Sequence, residues 1–459
     1  MSMKICTALF AVAITAPAFA GVAAHEASQL GGPKLTACGA EVAGNADGSI
    51  PAYTGGLQAP SGADGMKLNN GPGRRQVEPY KGEKPILTIN AANLEKYKDA
   101  VSIGIQTLMK RHPDFRIVVY PSHRSMYYPE WIQKNCIKNA TTAHLSGTIE
   151  GDGVAGAYGG IPFPIPKNGY EAMWNHNLAY LGWREAIVSS WLVDSAGHRQ
   201  LANRGWTTYY GMYYDPGKTG LTDTTFMVTK SRTVAPPQDN GSASISKYSI
   251  NYSVQDQMIW AYTPGQRRVK LAPENKYDTP IAQFGGAFNF DEQSLFFGRM
   301  DLFNFKLIGK KEMYIPYNDT EFKMNSTADQ LLLAHFPNPD RLRWEKHRVW
   351  IVEATLKPGA RHSMKRRVFY LDEDAWSAVL SDGYDQSGNI YRVGVRAPMF
   401  YYAPLGGLDS SLVFFDLSKG NYSVGSVLTD PNDYNTTHDG PFLPASAFEP
   451  STLTSTNFR

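Results

Sequence analysis

Three consecutive acidic residues, Asp372-Glu373-Asp374, stand between the run Arg367-Val368-Phe369-Tyr370-Leu371 and Ala375-Trp376. Carboxylates so close together can hold calcium or share a proton as an acid/base pair, but a turn whose carboxylates cap its own backbone is the plainer account. Asp382-Gly383-Tyr384-Asp385-Gln386-Ser387-Gly388 resembles part of a calcium loop, yet it has no bidentate glutamate in register and reads better as a hairpin turn between two strands. His144, His176, His335, His347 and His362 are scattered, and no two of them are three or four apart. His176 is the one to test, because it sits beside an aromatic stripe, although a structural or solvated imidazole is the plainer account. There is no G-x-S-x-G elbow, no H-E-x-x-H and no cysteine pair at zinc spacing. The reading is therefore of a protein that is not an enzyme, with no catalytic residue, no metal set and no cofactor.

The elements that must position such residues centre on Val154 to Trp183. In Ile161 to Pro166 proline alternates with large apolar residues; each ring fixes φ and removes a donor, so this ribbon is extended and cannot join the middle of a sheet. Asn168 is placed to cap a helix that carries Tyr170, Met173, Trp174, Leu178 and Leu181 at helical spacing, with Gly182 placed to stop it. The ribbon and helix either fill a core or plug and line a cavity for an apolar ligand.

Met1 to Ala20 has the form of a secretory signal: Lys4, an apolar run from Ile5 to Ile14, and Ala18-Phe19-Ala20 before the cut. The bacterial look of the signal makes the periplasm the first choice of compartment and secretion the second. Cleavage would remove Cys6 and leave Cys38 and Cys136 in an oxidising compartment. Joined, they would close a loop of roughly a hundred residues and stabilise by ~4 to 5 kcal/mol; two free buried thiols are the alternative. With 459 residues, 19% charged and 12% aromatic, the chain fits a large β-rich body better than a helical or disordered one. A net charge of +3 gives no argument for nucleic acid. The clusters Arg267-Arg268 and Lys365-Arg366-Arg367 read as solvated strand faces or turns.

Residues 21–85 are rich in Gly, Pro, Asn and Ser and read as an extended arm lying over the body. Helices are expected from Asn93 to Arg111 and from Trp131 to Leu145, with a strand from Phe115 to Tyr120 between them. After Trp183 the pattern has period two. Strands are expected at Arg184 to Asp194, Thr207 to Tyr214, Thr224 to Val234, Ser244 to Ser253, Gln257 to Tyr262, Arg268 to Leu271 and Phe303 to Tyr314. Further strands follow at Arg348 to Leu356, Lys365 to Leu371, Trp376 to Tyr384, Ile390 to Phe400 and Leu412 to Leu417. Residues 86–430 then form one body, and the tail, 431–459, reads as poorly ordered.

Several stretches taken together resemble a bacterial family known as domain of unknown function 1329: N-A-D-G-S-I-P-A-Y-T-G-G, H-P-D-F-R-I-V-V-Y-P-S-H-R, G-G-I-P-F-P-I-P-K-N-G-Y-E-A-M-W-N-H, W-A-Y-T-P-G-Q-R-R-V, K-K-E-M-Y-I-P-Y-N, L-R-W-E-K-H-R-V-W-I-V-E-A-T-L-K-P-G and K-R-R-V-F-Y-L-D-E-D-A-W. The resemblance implies a mainly β (α+β) fold of the LolA/LolB lipoprotein-carrier type: a large, curved, unclosed antiparallel β-barrel with helices covering its concave side. It also implies a periplasmic helper of an inner-membrane transporter of the resistance-nodulation-division type and an outer-membrane-associated companion, moving a lipid or other hydrophobic molecule. An open barrel could hold such a ligand on one side chain in two. The candidates for its lining are Phe163, Tyr170, Met173, Trp174 and Leu178 on the ribbon and helix, and Trp260, Tyr262 and Trp350 on strands. The phase of the last strand, Trp350 with Val352 or Val349 with Ile351, is open. The rivals are an envelope hydrolase acting on glycans or esters and a scaffold with a filled interior.

Overall fold

The computed structural model describes residues 21–59, 75–438 and 443–454; the signal at 1–20 lies outside them. Among the described residues, sixteen strands form one sheet. It starts at the edge strand Leu87–Asn90, passes through Arg116–Val119 to the long strand Arg343–Leu356, and runs on through Arg366–Asp372, Ala378–Tyr384, Ile390–Phe400, Leu408–Asp416 and Asn421–Val427. There it joins Trp183–Val193 and continues in chain order through Arg199–Tyr210, Thr225–Ala235, Ala243–Ser249 and Met258–Thr263 to the other edge, Arg268–Leu271. The two edges do not pair, so the sheet is not closed into a barrel. Phe303–Pro316 pairs with Arg343–Leu356 off this path. The sheet is mixed rather than wholly antiparallel, because Arg343 and Trp344 run parallel to Val118 and Val119.

Register assigns the faces. Val368, Asp382, Val393 and Phe415 are cross-strand partners in turn and share one face, on which the helix Ile103–Arg111 lies: a Cβ at Gly104 would meet Asp382 and Val393. Phe369, Ser381, Gly394 and Phe414 share the other face and meet Phe296, Leu295 and Phe288. All seven residues of Ala378–Tyr384 are buried. A strand covered on both faces needs no polar residue in alternation, and period two fades there.

Several elements differ from expectation for local reasons. The helix expected from Asn93 to Arg111 breaks into Leu94–Tyr97, a 3-10 turn at Lys98–Ala100 and Ile103–Arg111. Ser102 is extended and accepts the amide of Ile105, so a second cap starts a new helix where one continuous stripe was read. Asn93 caps nothing with its side chain; it bonds Asn90 and Thr88 instead. The next helix spans Glu130–Thr142, and His144–Ser146 forms a small strand with Gly153–Ala155. Within the described part of the tail, Tyr434–His438 pairs with Trp183–Val193, and Phe448 and Leu453 are buried against the sheet. Arg367 is not solvated either. It is buried, 2.7 Å from Asp291, and a carboxylate inside the fold explains an arginine inside it. Among the described residues, no helix is long and apolar enough to cross a membrane.

Candidate functional site

The ribbon 161–166 enters no strand, and Asn168 caps the helix Gly169–Asn177 by accepting the amide of Glu171 at 2.9 Å. The helix ends earlier than expected. Leu178 is its C-cap, and Leu181 and Gly182 lie beyond it, because the last turn already closes onto the carbonyls of Trp174 and His176. Asn175 clasps the ribbon by accepting from the amide of Phe163 at 2.9 Å and donating to its carbonyl at 2.7 Å. Ribbon and helix are thereby one piece.

Every residue of the helix is buried. Trp174 packs edge-on against Phe226 and beside Tyr252, Tyr170 packs on Phe305, and Phe305 faces Phe369. A Cβ at Gly169 would overlap the backbone of Phe305, so only glycine lets the helix begin this close to the strand. Apart from Asn177 Oδ1, which has no partner, polar side chains here bond to the backbone: Trp174 donates to the Gly151 carbonyl at 2.9 Å and Tyr170 to that of Phe303 at 3.1 Å. His176 donates from Nε2 to the Phe296 carbonyl at 2.9 Å and accepts the Ala378 amide on Nδ1 at 3.1 Å. Burial lowers its pKa to about 3, so this histidine is a neutral fastener.

The structure therefore brings Phe163, Tyr170, Met173, Trp174 and Leu178 into one apolar body. Trp350 joins its margin. By register it shares the face of Leu371, Val352 that of Phe369, and Trp350 stacks on Trp376 with centroids 6.0 Å apart. Trp260 and Tyr262 are elsewhere, in a separate cluster with Trp206, Ile245, Phe448 and Leu453. Cavities of about 20 Å³ beside Phe115 and Trp344, and of about 10 Å³ beside Tyr277 and Arg299, are of the size of a single water, and neither touches the helix. Cys38 and Cys136 are joined, Cα atoms 5.1 Å apart, and tie the arm to the helix flanking the ribbon.

A second centre was hidden from sequence. His347 lies two residues from Val349, the cross-strand partner of Asp372, so the imidazole and the carboxylate are diagonal neighbours on one face. Only strand register reveals that. Around them Arg124 holds Asp374 with bonds of 2.9 and 2.6 Å, and Lys310 and Arg348 reach Glu373 at 2.8 and 3.3 Å. Glu345 takes Arg343 at 2.5 Å, Asn318 at 2.9 Å and His347 at 3.1 Å. Asp372 accepts from Tyr317 at 3.2 Å and from the Ala375 amide at 2.8 Å, both on Oδ2. Burial, then the neighbouring Asp374, push the Asp372 carboxyl up to about 7. Burial opposes the charge on Glu345, but the bond from His347, with the charge of Arg343, holds that pKa down. The arm roofs this nest: the carbonyls of Cys38, Val42 and Ala43 accept from Trp376, Arg124 and Arg348. With Asp372, Glu373 and Asp374 all buried, no glycan-sized substrate reaches them. The supposed calcium loop diverges, Asp382 turning to Gly104 and Tyr370 while Asp385 caps Ser387 and Asn389.

A mainly β protein with an unclosed sheet and one buried aromatic helix packed on it is the class that this geometry defines. The chain belongs to the family described as Protein of unknown function (DUF1329), whose model matches residues 88–454. It is 37% identical over 414 residues, 88% of its length and 87% of the other's, to the uncharacterized protein PA3922 of Pseudomonas aeruginosa. Among solved structures it is similar to a DUF1329 family protein from Desulfovibrio piger, with 13% identity, a TM-score of 0.40 and coverage of 61% of this chain and 95% of that one. A putative outer membrane lipoprotein-sorting protein domain from Vibrio parahaemolyticus gives 11% identity, a TM-score of 0.39 and coverage of 59% and 92%. The LolA superfamily protein NE2245 from Nitrosomonas europaea gives 10%, 0.35, and 62% and 98%.

Proposed function

We propose that the chain is a carrier-type binding protein for a lipid or lipid-like molecule, working in the periplasm as an accessory to an envelope transporter of the resistance-nodulation-division type and an outer-membrane-associated companion. The observation that carries the reading is the clasped ribbon and helix, 161–177. It is a clasped, largely apolar piece packed on the sheet, with its prolines outside the strand ladder, aromatic surface around it, and a few hydrogen bonds to Gly151, Phe296, Phe303 and Ala378. Such a piece occupies the volume that an acyl chain would take, and can yield it by moving as a unit. An acyl chain gains ~0.8 kcal/mol per buried CH₂, so one of ordinary length offsets the exposure of several aromatic contacts. The signal at Met1 to Ala20 supports the compartment.

The test is to purify the exported chain without detergent, extract it for lipid mass spectrometry, and titrate it with a fluorescent fatty-acyl probe. Copurified lipid or saturable probe binding near one per chain is the expected result. A filled interior favours a second reading, an envelope scaffold that binds no ligand; a chain free of lipid and blind to the probe would select it.

A further inference from the structure

We infer that His347, Asp372 and Asp374 form a binding site for one divalent first-row transition ion. Each offers one ligand atom, the three atoms lie within 4.8 Å of one another, and all three residues are buried. The observation independent of that clustering is an orphaned acceptor: Oδ1 of Asp372 is buried without a hydrogen-bond partner, although the residue is fully enclosed. Such an oxygen is expensive to leave unmet.

Charge points the same way. Arg124 answers Asp374, Lys310 and Arg348 answer Glu373, and Arg343 answers Glu345. Among the described residues, no lysine or arginine pairs with Asp372. A cation between Asp372, Asp374 and the imidazole supplies the missing partner of Oδ1.

The donor set selects the class of ion. Two carboxylates and one imidazole suit zinc, manganese or iron(II), whereas calcium asks for six to eight oxygens. Bonds of ~2.0 to 2.2 Å require the three donors to draw in by about 1 Å. The outer partners are those that a metal ligand uses. Glu345 sits 3.1 Å from Nε2 of His347, and Tyr317 stacks on the ring with centroids 3.8 Å apart and also bonds Asp372. Because Cys38, Val42 and Ala43 of the arm close the nest, the ion is structural, and it enters before the arm settles.

The test uses the full exported chain. Metal content is measured by plasma mass spectrometry. The chain is then stripped with chelator under mild denaturant and refolded with Zn²⁺, Mn²⁺ or Co²⁺, following thermal stability and the visible ligand-field bands of Co²⁺. About one ion per chain and a rise in Tm on loading are expected, with affinity falling at least tenfold in Asp372→Asn and in His347→Gln. Asp382→Asn, a buried carboxylate in another part of the sheet, retains the ion. Should a variant not fold, the Co²⁺ bands of the parent chain decide alone. No ion, no Co²⁺ bands and no Tm shift would overturn the assignment, as would equal binding by Asp372→Asn, His347→Gln and the parent.

Discussion

The ribbon and helix at 161–177 and the nest around Asp372 are both buried, yet they are built on opposite principles. In the first, Asn175, His176, Tyr170 and Trp174 use their polar atoms on named backbone partners, and the remaining contact is aromatic and non-directional. In the second, Arg124, Arg343, Lys310 and Arg348 hold carboxylates in fixed geometry, and Asp372 keeps an unmatched oxygen. Apolar contact can be exchanged for other apolar contact at little loss; a directional ionic lattice cannot. The difference separates a region held mostly by aromatic contact from a region held by directional ionic contacts. The Cys38–Cys136 bridge joins the two, since Cys38 roofs the nest and Cys136 accepts the amide of Ile161 at the start of the ribbon.

Removing that bridge is expected to have the largest effect. Replacing Cys38 and Cys136 together by serine should lower the unfolding free energy by about 4 to 5 kcal/mol, the loop-closure value for the 98-residue separation. A guanidinium midpoint unchanged by the double substitution would show that the two regions are held together by other means.

Trp174→Ala should cost about 4 kcal/mol and leave a cavity able to admit a small apolar molecule such as benzene. Trp260→Ala, in the separate and partly exposed cluster, should cost less than half as much and bind none. Equal costs would remove the distinction between the two aromatic groups.

Arg124→Ala strands the buried carboxylate of Asp374 and should cost about 3 kcal/mol. Adding Asp374→Asn should restore part of it. Two additive losses would mean that the pair is not coupled.

The smallest effect is a pH dependence. Burial raises Asp382 from 3.8 to about 6, so the folded state holds a proton that the unfolded state has lost. Stability from this group is complete below pH ~4 and declines as pH rises from ~4 to ~6, by roughly 2 to 3 kcal/mol. Asp382→Asn should flatten that part of the stability profile. A profile of unchanged slope would place the proton elsewhere.

Much of the apolar part was legible in the sequence. The prolines between Ile161 and Pro166 forbid strand pairing, Asn168 is a cap, and Tyr170, Met173 and Trp174 lie at one helical spacing, so a ribbon feeding an inward helix follows from local chemistry. Ile390–Phe400 and Arg268–Leu271 fall where alternation put them. The ionic part was not legible. Asp372 and His347 meet through the register of two strands, and Arg124 comes from a loop about 250 residues away. The turn reading of Asp372-Glu373-Asp374 was right as far as local chemistry reaches, because Asp372 does accept the Ala375 amide; what lies across the sheet is a matter of tertiary contact. Ser102 shows the same limit on a smaller scale, a single hydroxyl cap dividing what the apolar stripe presents as one helix. Asn421–Val427, a strand mixing Gly and Ser with Val, is supported by its neighbours on both sides rather than by its own pattern.

The carrier reading is tested most directly by the fluorescence of Trp174 against acyl chains brominated along their length. Quenching that saturates near one chain per protein, and that shrinks in Trp174→Phe while probe affinity stays within a few fold, is the predicted result. Saturable binding with Trp174 emission untouched, or no binding at all, would contradict the placement of the ligand where the helix now lies.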